Sequence, residues 1–190
     1  MSPALEHVDE IPKFNNNWDL DNLVTNNLTA AVDQIHLCAL RNDLNEGDED
    51  GQPPTNHWTM CLQITPQANV MLDMAPGYGS DGLRGKIETA SSADPYTKDT
   101  LKPFSFKPTK PITVGDAMQL IIENKRDAFN FSPEWEGCRY WMSVIMSDFE
   151  NAGLVQEGSA AVAREALLMY WRNPEGSEAR VMREGTFRNE

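Results

Sequence analysis

The stretch His57-Trp58-Thr59-Met60-Cys61-Leu62-Gln63-Ile64, continued by Thr65-Pro66-Gln67-Ala68-Asn69 and Val70-Met71-Leu72-Asp73-Met74, decides the fold. Trp58, Met60, Leu62 and Ile64 alternate with His57, Thr59, Cys61 and Gln63, which is the period-two signature of a strand with two unlike faces. Pro66 presets φ and Asn69 tolerates a left-handed backbone, so residues 65–69 read as a turn. Residues 70–74 then return as the second strand, ending at Ala75-Pro76-Gly77, with a glycine-rich stretch running on to Gly85. For a turn centred on Pro66, parity puts His57 and Asp73 on one face. Asp73 then lies about two positions from the direct cross-strand partner of His57.

Working outward, residues 32–40 (Val-Asp-Gln-Ile-His-Leu-Cys-Ala-Leu) mix alternation with a buried run and predict another strand. Shorter strands are expected near 83–89 and 104–107. The second half turns helical. Thr113 is a candidate cap for a helix from Val114, with Val114, Ala117, Met118, Ile121 and Ile122 on one stripe. A second helix carries Cys138, Trp141, Met142, Ile145 and Phe149 at helical spacing and stops near Gly153; its start is either Ser132-Pro133 or Gly137. A third helix is expected over 160–171 and a closing strand over 180–187. Strands first and helices later predict an α+β domain in which an antiparallel sheet packs on two or three helices. Residues 1–27, polar and rich in asparagine, read as an N-terminal arm, and residues 28–190 as a single domain.

The chain has 190 residues and a net charge of −13, from 29 Asp plus Glu against 16 Lys plus Arg. An acidic excess argues against a nucleic-acid partner, whose phosphates need a basic face, and against anionic lipid. No apolar run approaches the roughly 18 residues of a membrane span. The N-terminus lacks the basic start and apolar core of a secretory signal. A cytoplasmic protein with a small-molecule partner, and room for a homodimer, is the resulting expectation. The acidic run around Glu46, Asp48, Glu49 and Asp50 reads as a solvated loop, since it lacks calcium-loop spacing.

A serine nucleophile elbow, a phosphate-binding glycine loop, a dinucleotide fingerprint and an HExxH motif are all missing from the sequence. His36, Cys38 and Cys61 offer a metal reading, but cysteines within apolar strands read first as small core residues; no metal or cofactor is expected. What remains is Cys138 near a helix start and His57 at a strand start. A thiolate is a nucleophile, helix N-terminal amides favour it, and an imidazole in reach moves the proton. Asp73 is placed to orient that imidazole, and the amide of Cys138 to stabilise an oxyanion. Two features oppose this. Cys138 also begins an apolar stripe, where an inert core thiol would sit, and Glu134 and Glu136 precede it.

The order of His57-Trp58 opening a strand, then Met71-Leu72-Asp73-Met74-Ala75-Pro76, then Gly137-Cys138-Arg139-Tyr140-Trp141 opening a helix resembles a known family. It is similar to the circularly permuted papain-like cysteine enzymes, the lecithin retinol acyltransferase and NlpC-like group. The Asn56-His57-Trp58 and Gly137-to-Trp141 motifs also resemble an uncharacterised domain family of fungal proteins. The resemblance implies a permuted papain-like fold and a cysteine hydrolase or acyltransferase acting on a small-molecule acyl substrate, in fungal secondary metabolism. Cys138 matches the family's nucleophile and His57 its base. Asp73 falls where those relatives carry a second histidine, and Gly137 where they carry asparagine. Arg139, Tyr140 and Trp58 are the candidate substrate-binding residues, Arg139 for a carboxylate or phosphate. Trp58, like Trp141 and Trp171, reads equally as a core anchor. A non-covalent binding protein, cyclase or isomerase on the same fold is the alternative.

Overall fold

In the computed structural model, residues 12–43 and 53–189 are described. The acidic run at 46–50 and residues 1–11 of the expected arm lie outside the described residues. The hairpin forms as its alternation requires: β3 (His57–Thr65) and β4 (Ala68–Tyr78) pair antiparallel, with Met60 opposite Leu72 and Leu62 opposite Val70. The return strand does not stop at Ala75-Pro76-Gly77, because β4 runs on to pair Tyr78 with Arg84 past a register shift. β2 (Gln34–Leu40) and β6 (Lys102–Phe106) extend the sheet on one side, and β5 (Arg84–Ser92) on the other. Beyond β5 come the two-residue strands β7 (Phe129–Asn130) and β10 (Thr186–Phe187).

At the N-terminal end the arm is laid along the domain from Trp18: residues Trp18–Asn22 form strand β1, pairing parallel with β5, and a short 3-10 turn follows at Thr25–Thr29. The cause is packing rather than propensity. Trp18 is buried, and its indole N–H donates to the Asp127 carboxylate at 3.2 Å.

One sheet face carries Ile35, Leu37, Ala39, Trp58, Met60, Leu62, Val70, Leu72 and Met74, all inaccessible to solvent. They form one core with α1 (Val114–Glu123), α2 (Cys138–Asn151) and α3 (Ser159–Leu167). α1 starts where Thr113 and Asp116 cap each other reciprocally: the Asp116 amide donates to Thr113 Oγ1 at 3.0 Å, and the Thr113 amide to Asp116 Oδ2 at 2.7 Å. α2 ends in two nested bonds, Gly153 N–H to Glu150 O and Leu154 N–H to Phe149 O, with Gly153 at φ +65° supplying the left-handed residue this stop demands. α3 is shorter than expected. After Leu167 the chain becomes β8 (Met169–Trp171), which pairs with β9 (Ser177–Ala179), because the Asn56 amide group accepts from Trp171 N–H and donates to Trp171 O. The expected closing strand over 180–187 reduces to Thr186 and Phe187. The class is therefore α+β, a mostly antiparallel sheet with three helices. Among the described residues, no helix is long and apolar enough to cross a membrane.

Candidate active site

His57 opens β3 because Asn56 pins the strand's start. Asn56 is buried and its side chain also donates to Leu40 O, so it joins the ends of β2, β3 and β8. His57 itself sits opposite Leu40 of β2. Continuing the β3–β4 register from Met60 and Leu72 puts Ala75 opposite His57, with Asp73 two positions away on the same face. The side chains close that diagonal: His57 Nε2 lies 2.9 Å from Asp73 Oδ2. Cys138 acts on the same ring, raising its pKa together with Asp73. Two residues distant from His57 in sequence, Asp73 and Cys138, thus act on its ring.

The start of α2 is settled by Gly137. Its φ is +159°, and a Cβ there would meet Phe129 Cε1 at 2.9 Å and Phe131 Cδ1 at 3.3 Å, so only glycine lets the chain pass the two phenylalanines. The Trp141 amide makes the first helical bond, to Gly137 O at 2.9 Å, which leaves Cys138 as the first helical residue. Its own N–H, with those of Arg139 and Tyr140, belongs to the set that a helix cannot satisfy internally. Cys138 is half-buried, whereas Trp141, Met142, Ile145 and Phe149 on the same stripe are fully enclosed. Cys138 thus packs against the edge of the core that those neighbours fill.

The electrostatics favour a charged ring. Burial works against the imidazolium, but the hydrogen bonds and charges of Asp73 and Cys138 outweigh it and push the His57 pKa up to about 11. Asp73 Oδ1 is buried without a partner, and among the described residues His57 is the ion-pair partner of that carboxylate. A folded-state value above the ordinary 6.5 means the stabilisation is complete below that pH and is lost as pH climbs toward about 11. The His57 ring resonances are thus expected to stay flat from about pH 5.5 to 8.5. The thermal midpoint should fall more steeply from about pH 7 to 10 in the wild type than in His57→Gln. Proton NMR and a melting series check both.

The other expected site residues fare differently. Arg139 is buried, and its guanidinium is occupied by Glu136 at 2.8 Å, Val181 O at 2.8 Å and Leu167 O at 3.5 Å. This corrects the expectation of a substrate-holding arginine: a side chain one residue after a helix start points into the protein here. It also answers the carboxylates before Cys138, since Glu136 pairs with Arg139, and Glu134 and Glu136 both lie 3.6 Å from Arg183. Trp58 is wholly buried, its ring 6.0 Å from that of Phe104, so it is a core anchor and not a pocket wall. Tyr140 is half-buried beside Phe187, with ring centres 6.1 Å apart.

Trp135 was not read as functional from the sequence. It is about half exposed, takes φ +62°, and lies three residues before Cys138, where its ring covers Gly82 so closely that a Cβ there would sit 2.6 Å from it. The signal was present only as a tryptophan in a loop of Pro, Glu and Gly. Among the described residues, no group of three His, Cys, Asp or Glu side chains is placed to hold a metal ion.

The fold is α+β, with a strand-borne histidine–aspartate pair and a cysteine that opens a helix. The chain belongs to the family described as a domain of unknown function, DUF7770, whose model matches residues 35–188. Searches of curated proteins and of solved structures gave no match.

Proposed function

We propose that this domain is a thiol-dependent hydrolase or acyltransferase acting on a small-molecule acyl substrate, built on a permuted papain-like arrangement. The observation that carries the reading is the His57 imidazole, which bonds Asp73 at 2.9 Å and whose proton Cys138 also helps to hold. With the proton on His57, the Cys138 sulfur attacks the acyl carbonyl, and the developing oxyanion is met by amides at the start of α2. His57 gives its proton to the departing alkoxide or amine as the carbon–heteroatom bond breaks, leaving a thioester on Cys138. Water, or an acceptor hydroxyl, then attacks the thioester while His57 takes its proton, and the thiolate leaves. Asp73 holds the ring in the tautomer and orientation that both steps need.

The test is acylation of the native protein by a series of p-nitrophenyl esters of increasing chain length. The expected result is a burst of nitrophenolate together with a thioester on the peptide containing Cys138, absent in Cys138→Ala. Turnover without any label on Cys138 would instead favour the non-covalent cyclase or isomerase. Label confined to Cys38 or Cys61, or no reaction with any ester, would remove the proposal.

A further inference from the structure

The sheet face that carries His57 holds a second pair of sulfurs. Cys38 lies opposite Thr59 and Cys61 opposite His36, so the two cysteines are diagonal neighbours on adjacent antiparallel strands. Both are wholly buried, and the Cys38 thiol donates to Cys61 Sγ across 4.0 Å. The segment between β5 and β6 lies over them. Thr97 places its hydroxyl 3.0 Å from Cys61 Sγ, and its amide N–H donates to the same sulfur at 3.3 Å. The Thr97 hydroxyl is in turn 2.9 Å from that of Thr59.

A thiol that merely fills a core is surrounded by carbon. Here a thiol, a hydroxyl and an amide converge on one sulfur, and that is how a protein favours a thiolate. The direction of each shift agrees. The hydrogen bond from Cys38 lowers the Cys61 pKa, with Thr97 adding to it against burial, while the same bond and burial raise that of Cys38. One sulfur is prepared to attack and its neighbour keeps a proton to give.

We infer that Cys38 and Cys61 form a redox-active dithiol that closes to a disulfide under hydrogen peroxide, clamping β2 to β3 beneath the Thr97 segment. The Cys61 thiolate attacks one peroxide oxygen; the O–O bond breaks, giving a sulfenic acid on Cys61 and hydroxide, which takes up the proton Cys61 had released. Cys38 then attacks the Cys61 sulfur, the S–S bond forms, and the sulfenic hydroxyl leaves as water with the Cys38 proton. Two thiols have lost two electrons and two protons, and one peroxide has become two waters. Diagonal neighbours stand about 7–8 Å apart, beyond the usual disulfide range, so closing the bond draws β2 and β3 toward each other.

The experiment uses the full chain with Cys138→Ser, which leaves only the pair in question, treated with peroxide while circular dichroism reports the fold. Peptide mapping without reductant is expected to find the Cys38 and Cys61 peptides joined, and separated again by dithiothreitol. Thr97→Val should slow the joining about tenfold, the worth of one hydrogen bond to a charged sulfur. Thr97→Ser, which keeps the hydroxyl, should restore the rate. Crosslinking that appears only when the protein unfolds, or at a rate indifferent to Thr97→Val, would overturn the proposal.

Discussion

At pH 6, His57→Ala is expected to slow alkylation of Cys138 by iodoacetamide about 10²-fold. An ordinary thiol with pKa ~8.5 is only about 0.3 % ionised at that pH, and the thiolate is the species that reacts. In the wild type the ring keeps its proton well past neutrality, because Asp73 and Cys138 both act on it. It therefore presents a positive charge to the sulfur throughout the acid range. Removing the ring removes that charge. A thiolate stabilised by a cation is also a weaker nucleophile, which limits the ratio. Asp73→Asn keeps a hydrogen-bonding group at 2.9 Å from Nε2 but loses the carboxylate charge, so it should cost about tenfold. Mass spectrometry of each cysteine-containing peptide reads both effects, with the buried Cys38 as the reference thiol in the same sample. Equal rates in wild type and His57→Ala would mean that no thiolate–imidazolium pair exists, and the covalent mechanism would go with it.

The parts of this site that were legible in the sequence are those set by local periodicity. Alternation fixed which face of β3 bears His57, Pro66 fixed the turn, and parity then put Asp73 within reach; the bond at 2.9 Å follows from those three facts. The Thr113 cap and the Gly153 stop were equally local. The start of α2 was not, because Ser132-Pro133 and Gly137 are both reasonable by composition. What decides is the close approach of Phe129 and Phe131 to Gly137, a contact between segments that pattern cannot foresee. Strand β1 failed for the same reason: Asn-rich sequence has low strand propensity, and the burial of Trp18 beside Asp127 overrides it. Arg139 misled because a cation next to a nucleophile suggests a ligand, whereas Val181 O and Leu167 O, about 40 and 30 residues later, claim it. Cys38 and Cys61 were weighed only as metal ligands or core. Their mutual contact depends on the β2–β3 register and on Thr97, which the sequence alone does not connect.

Trp141→Ala should be the most destabilising single change within α2, costing about 4–6 kcal/mol: roughly 3–5 for the indole and its cavity, with ~1 more for the lost hydrogen bond. The indole is wholly buried, and its N–H donates to Arg126 O at 2.7 Å. Arg126 in turn grips Asp148, farther along the same helix, at 2.6 and 3.2 Å. α2 is therefore tied at two levels to the chain that leaves α1, and Cys138 sits one turn before the first tie. Against a total stability of about 5–15 kcal/mol, a loss of this size brings the domain close to unfolding. Trp141→Phe separates the two contributions, since it keeps most of the apolar burial but leaves the Arg126 carbonyl without its donor; about 1–2 kcal/mol is expected. Urea midpoints give both values. The same variants connect stability to chemistry. If the Trp141 anchor holds the helix start against His57, Cys138 in Trp141→Ala will alkylate at the slow rate of His57→Ala under conditions where the protein is still folded. A destabilised variant that keeps the fast rate would show that Gly137, wedged between Phe129 and Phe131, positions the sulfur without help from the core below it.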